Sequence, residues 1–327
     1  MNRPVLLNSG AWTDISLEEL AGLTAEWGYQ GFELASWGKH LALSPEGNWD
    51  SQLQATLDLL ARFELSAPVL AIHRISHAVS DRIDPSLSRI LPEEIWGDGE
   101  AEGVSIRATS WVANACAAAQ QMAMSVVSGF TGSPIWHRLT GYPYPTQEEL
   151  DEAFKLLAEK WHPLLDKFQE AGVKFALEVH AGQMAFDIST AERTLAALDH
   201  REDIGFTFDP SQLFWQGIDP VEFLYAFPSR IFHVHIKDIG VRLDGRSGLL
   251  NGGLPPGAPR RGWDFRCPGR GQIDWEAIFR ALNAIHYEGA LAVEISDPGI
   301  DRLKAAEEAI AFLKHMMPES TPEIRQP

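Results

Sequence analysis

The stretch from Val173 to Ser296 most constrains the fold. It holds four short apolar runs that each end in a metal-capable side chain: VKFALEVH (173–180), IGFTFDPS (204–211), IFHVHIKD (231–238) and ALAVEIS (290–296). Each run is short and rich in Val, Ile and Phe, as a buried parallel strand is. Amphipathic helical stretches lie between them, so the alternation reads as successive βα units. Side chains two apart on a strand share a face. Ala176 and Glu178 therefore pair by parity, as do Thr207 and Asp209, and Ala292 and Glu294. His233, His235 and Lys237 also share a face. A small residue one layer below an acid suits a narrow barrel with a polar rim at its C-terminal mouth.

A lone acid at a strand end is ordinarily a helix cap or a solvated loop residue. Three carboxylates and an imidazole in register are different, because they repel one another unless a cation neutralises them. Glu178, Asp209, His235 and Glu294 are thus the candidate metal ligands. An oxygen-rich set suits Mn²⁺ foremost, with Mg²⁺, Co²⁺ and Zn²⁺ as the other candidates.

The motifs LEVH, FDPSQL, HVHIKD, PGRGQIDW and AVEIS occur in this order. In them the chain resembles the sugar phosphate isomerase/epimerase superfamily, the xylose-isomerase-like barrels, over nearly its whole length. The resemblance implies a (β/α)8 TIM barrel, a divalent metal held by the same four residues, and chemistry on sugars. It implies an isomerase or epimerase that works by proton abstraction and a metal-stabilised enediolate, with Glu178 and Glu294 as the acid–base pair. Many members carry His three residues after the Asp; this chain has Gln212, which leaves substrate contact or water positioning at that place open. A second reading is a lyase like the barrel subunit of bacterial C-glycoside deglycosidases. That subunit acts on 3-keto-glycosides with a small second subunit, and elimination would need a further acid or base, for which His137 is the candidate. A non-catalytic sugar-binding barrel is the third.

Length and composition agree with one large domain over 1–317 and a polar tail at 318–327. The chain has 327 residues, 45% of them hydrophobic. The net charge of −18 opposes nucleic-acid binding. Cys116 and Cys267 stand far apart without CxxC spacing, and no signal-like or membrane-spanning run occurs. A cytoplasmic location is expected, as is an oligomer, including one with a small second subunit.

Further candidates for substrate contact lie near predicted strand ends and in long loops. Glu33 lies at the exit of strand 31–36 and either reaches substrate or binds a loop amide. His73 ends strand 68–74 and either lines the pocket or is a satisfied core histidine. His180 shares a face with Glu178. Lys237 either stabilises oxyanion charge or pairs with Asp209 or Glu294. Loop 131–145, TGSPIWHRLTGYPYP, offers Trp136 and His137 between glycines and prolines, suited to stacking on a sugar or an aglycone. Insertion 239–271 carries Arg242, Arg246, Arg260, Arg261, Arg266 and Arg270, of which Arg270 is the candidate for substrate. A short helix is expected near 84–91 and a longer one over 107–122.

Overall fold

The alternation of apolar runs and amphipathic segments closes on itself. The computed structural model describes residues 3–43, 49–139, 141–250 and 254–317. The tail expected at 318–327 lies outside them. In chain order the strands are β1 (Val5–Asn8), β2 (Gly31–Ala35), β3 (Ser66–Ala71), β4 (Val126–Gly129), β5 (Lys174–Glu178), β6 (Ile204–Phe208), β7 (Ile231–Ile236), β8 (Asp238–Val241), β9 (Trp263–Arg266) and β10 (Leu291–Val293). All but β8 and β9 form a closed barrel of parallel strands in which β10 returns to β1. Helices connect them, giving the (β/α)8 TIM barrel.

Strand parity sorts the side chains. Leu6, Val69, Val126, Ala176 and Ala292 form an apolar plug inside the barrel. One step nearer the strand C-termini the interior turns polar: Ser128 Oγ meets Thr207 Oγ1 at 2.7 Å, and Glu33 meets His233 and His235. The opposite parity faces the helices. Phe175, for instance, packs on Trp161 with ring centroids 4.6 Å apart. Burial of such rings is the main stabilising term of the fold.

Local signals set the helix ends. Thr146 Oγ1 accepts from Glu149 N, and Glu149 Oε2 accepts from Thr146 N, which closes a capping box at the start of helix Gln147–Ala171. That helix ends at Gly172, whose φ of 68° is left-handed. Asp219 and Asp274 cap the helices that follow them.

Two expectations need correction. The helix expected over 107–122 begins at Ala101 and takes in Arg107, whose side chain reaches back to the carbonyls of Ile95 and Trp96, at 2.8 Å each. The helix expected near 84–91 is a 3-10 turn, Pro85–Arg89, followed by a single turn, Glu93–Trp96. Within insertion 239–271, β9 pairs back on β8 as an antiparallel hairpin. Glycines and arginines interrupt its alternation, so the strand signal is weak.

Asp238 anchors this hairpin. Its carboxylate accepts from the backbone N–H groups of Ile239, Gly269, Gly271 and Ile273 and from Trp275 Nε1. A Cβ at position 271 would lie 2.0 Å from Asp238 Oδ1, so only glycine lets the loop approach so closely.

Candidate metal centre

Four strand ends deliver the central side chains. β5 ends in Glu178, and β6 runs into Asp209, which caps the short helix Pro210–Phe214 through Ser211 N. β7 carries His235 and leads to Lys237, and Glu294 follows β10. Among the described residues, Glu178, Asp209 and His235 each bring a ligand atom within 4.8 Å of the others. Glu294 joins them through His235, with its Oε2 3.5 Å from Nδ1. Its other oxygen lies 2.5 Å from Lys237 Nζ, which also stands 3.8 Å from Asp209 Oδ2. Phe265 of the hairpin lies beneath that ammonium, 4.1 Å from ring centroid to Nζ.

The electrostatics are those of a cluster that gathers too much negative charge. Burial pushes Asp209 up to about 6; Lys237 opposes the shift, while Glu178 and Glu294 add to it. Burial also works against the charge on Glu178, but a hydrogen bond from His73 and the charges of His235 and His73 hold its carboxyl well below the usual range. His235 is pushed up to about 10, its burial overridden by Glu33 and then by Glu178 and Glu294. Glu178 Oε1 and His235 Nδ1 are buried without a hydrogen-bond partner. Orphaned donor atoms of this kind are costly unless something binds them. Three carboxylates and one imidazole with unused lone pairs fit a divalent cation.

The interior also fixes the proton on His73. Thr207 Oγ1 donates to the Ala176 carbonyl, so Ser128 donates to Thr207 and accepts from His73 Nε2 at 3.2 Å. His73 Nε2 is therefore a donor, and it lies 3.1 Å from Glu178 Oε2.

A cavity of about 360 Å³ opens onto the cluster. Its walls include His73, Glu178, His180, Gln212, His235, Lys237 and Glu294. The sequence offered all seven. Asn8, Gly10, Ala11, Trp37, Phe130 and Ser296 complete the wall as contacts the site reading did not include. Asn8 ends β1 with the same parity as Leu6, so the strand-end rule would have found it. Phe130 packs edge-on against both His73 and His180. Gln212 Nε2 lies 3.4 Å from Asp209 Oδ2.

Four candidates stand elsewhere. Glu33 does not reach substrate: it is fully buried and binds His233 and His235 instead. His137 lines a groove on the outer side with Arg138 and Leu156, outside the walls of the metal-facing cavity. Trp136 packs on Phe186. Arg270 pairs with Glu308 of the last helix at 2.7 Å.

The model of the xylose isomerase-like TIM barrel family matches residues 21–316. The chain belongs to this family. The chain spans about half the length of the curated relatives it matches. An inosose dehydratase of Clostridium perfringens is 33% identical over 174 residues, which is 50% of this chain and 55% of that protein. Among solved structures, the 3-keto-D-glucoside 4-epimerase YcjR from E. coli superposes with a TM-score of 0.68 at 14% identity, over 96% of this chain and 100% of that one. The IolI protein with a bound zinc atom superposes with a TM-score of 0.64 at 19% identity, over 96% of each chain. At these identities the two structures speak for the fold alone.

Proposed function

We propose that this chain is a divalent-cation-dependent enzyme acting on a keto-sugar or a cyclic polyol ketone. It removes the proton from the carbon beside the carbonyl and returns it, as an isomerase or epimerase does. The observation that carries this reading is the pair of carboxylates, Glu178 and Glu294, reaching His235 Nδ1 at 3.8 and 3.5 Å within one cavity. Glu178, Asp209, His235 and Glu294 would hold the cation. When bound, it supplies the Lewis acid that makes a C–H bond beside a carbonyl acidic. The zinc atom in the IolI structure puts Zn²⁺ beside Mn²⁺ as the first ions to test.

The chain's own residues divide the rest of the work. Glu178 is kept ionised by His73 and accepts the proton. Glu294 delivers a proton from its own side once it has taken one up from solvent, and returns to the carboxylate as it does so. Lys237, bonded to Glu294, holds that carboxylate in place and lends positive charge to a substrate oxygen that becomes negative. His180 and Gln212 face the same space and orient hydroxyl groups. Phe130 and Trp37 give a sugar ring apolar contact.

A second reading is dehydration, in which the same deprotonation is followed by loss of a hydroxyl group. The likeness to inosose dehydratase favours it. Elimination needs a proton donor for the leaving group, and His180 or His73 supplies one from inside the cavity. The C-glycoside lyase alternative would draw on the same histidines, because His137 lies outside that cavity. A small second subunit belongs to that alternative alone.

Incubation of Mn²⁺- or Zn²⁺-loaded protein with ketohexoses, 3-keto-glycosides and inososes in deuterated water tests these readings. Deuterium incorporation at constant substrate composition marks epimerisation. Loss of one water marks dehydration, and release of an aglycone marks the lyase. No exchange on any of these substrates, with cation bound, overturns the proposal.

A further inference from the structure

Glu33 and His233 are the most confined polar groups that the proposed reaction leaves without a task. Both are 0% exposed. Neither can meet substrate, yet a carboxylate and an imidazole are costly to bury without a role. Glu33 Oε2 lies 2.8 Å from His235 Nε2 and 3.0 Å from His233 Nε2. A carboxylate oxygen accepts and does not donate. Each histidine therefore carries a proton on Nε2. An imidazole with that proton committed has its free lone pair on Nδ1. For His235 this is the nitrogen that faces Glu178 Oε2 and Glu294 Oε2, buried and without a partner.

We infer that Glu33 is a positioning residue: it selects the Nε2–H form of His235 and orients the ring so that Nδ1 is offered to the cation. His233 donates to the same oxygen and keeps the carboxylate from swinging away. The rings of His233 and His235 lie 5.3 Å apart at 88°, so the two donors reach the one oxygen from different directions. The inference rests on the reading of Glu178, Asp209, His235 and Glu294 as cation ligands. It makes β2, separated from β7 by β1 and β10 in the barrel order, part of the metal centre. Carboxylates behind ligand histidines commonly raise their basicity and set their orientation.

Glu33, His233 and His235 also bring ligand atoms within 4.8 Å of one another. A cation of their own is therefore the rival outcome, and the test must separate the two. The direct experiment uses the unaltered full chain loaded with Zn²⁺, observed by long-range ¹H–¹⁵N correlation of its histidines. His235 is expected as the Nε2–H form with Nδ1 on the metal. A pattern with Nε2 on the metal overturns the proposal. The variant arm measures Co²⁺ affinity and ligand-field spectrum for Glu33→Gln and Glu33→Leu, with folding checked by circular dichroism. Glutamine keeps an accepting oxygen, so its spectrum should match the unaltered protein. Leucine should weaken Co²⁺ binding roughly 10- to 100-fold. Equal affinity and spectrum in the leucine variant sink the positioning role alone. Failure of the unaltered chain to bind Co²⁺ or Zn²⁺ sinks the ligand reading and the inference with it. A second Co²⁺ ion that disappears in Glu33→Leu would assign the three buried groups to a cation of their own and overturn the inference.

Discussion

Asp209 keeps its proton late for an aspartate, up to about 6, through burial and the nearby Glu178 and Glu294. Proton and cation compete for the same oxygen. Cation affinity should therefore fall as pH drops through about 6, and titration calorimetry across that range would show it. An affinity that stays flat would remove Asp209 from the ligand set. His235, pushed up to about 10, must also give up its Nδ1 proton. Binding near neutral pH should release protons, which calorimetry in buffers of different ionisation enthalpy reads directly. Glu178→Gln removes the proposed base and should slow deuterium exchange by about 10²- to 10⁴-fold. His40 gives a separate pH signal. Burial pushes it down to about 4 from its ordinary 6.5. The unfolded chain binds more protons at position 40 between those values. This contribution to stability is thus present above 6.5 and lost as pH falls toward about 4. His40→Gln should flatten that part of a urea-stability profile against pH. At this scale the meeting of Glu178, Asp209, His235 and Glu294 was legible from strand parity. The place of Glu33 was not, because it depends on side chains that cross the barrel from strands distant in sequence.

The helical and strand elements followed their local signals closely. Thr146, Asp219 and Asp274 cap their helices, and Gly172 ends the longest one described. Thr146→Ala should cost about 1 kcal/mol in urea unfolding, since it opens an exposed capping box. The β8–β9 hairpin was illegible for the opposite reason. Its cohesion comes from the anchor at Asp238, whose five donors are spread from Ile239 to Trp275. No window of sequence displays that. Asp238→Ala leaves several buried N–H groups unpaired and should destabilise by on the order of 2 kcal/mol or more. Hydrogen exchange should rise first at Gly269, Gly271 and Ile273. In the insertion, Arg242, Arg261, Arg266 and Arg270 each pair with a carboxylate of the chain itself.

For the whole molecule, the eight-stranded fold could be read because the βα alternation and parity repeat around the barrel, so each strand supported the next. Cation binding couples to the stability of that whole. At a concentration one hundred times Kd it should add about 2.7 kcal/mol, visible as a raised Tm that a chelator reverses. The apolar plug has a kinetic corollary. Leu6, Val69, Val126, Ala176 and Ala292 fill the barrel beneath the carboxylates, so traffic passes through the mouth alone. On the proposed function, whatever occupies the upper part of the cavity would sit above a bound ion like a cork. Addition should then be ordered, ion before sugar, and a bound sugar analogue should slow the stripping of the ion by a chelator.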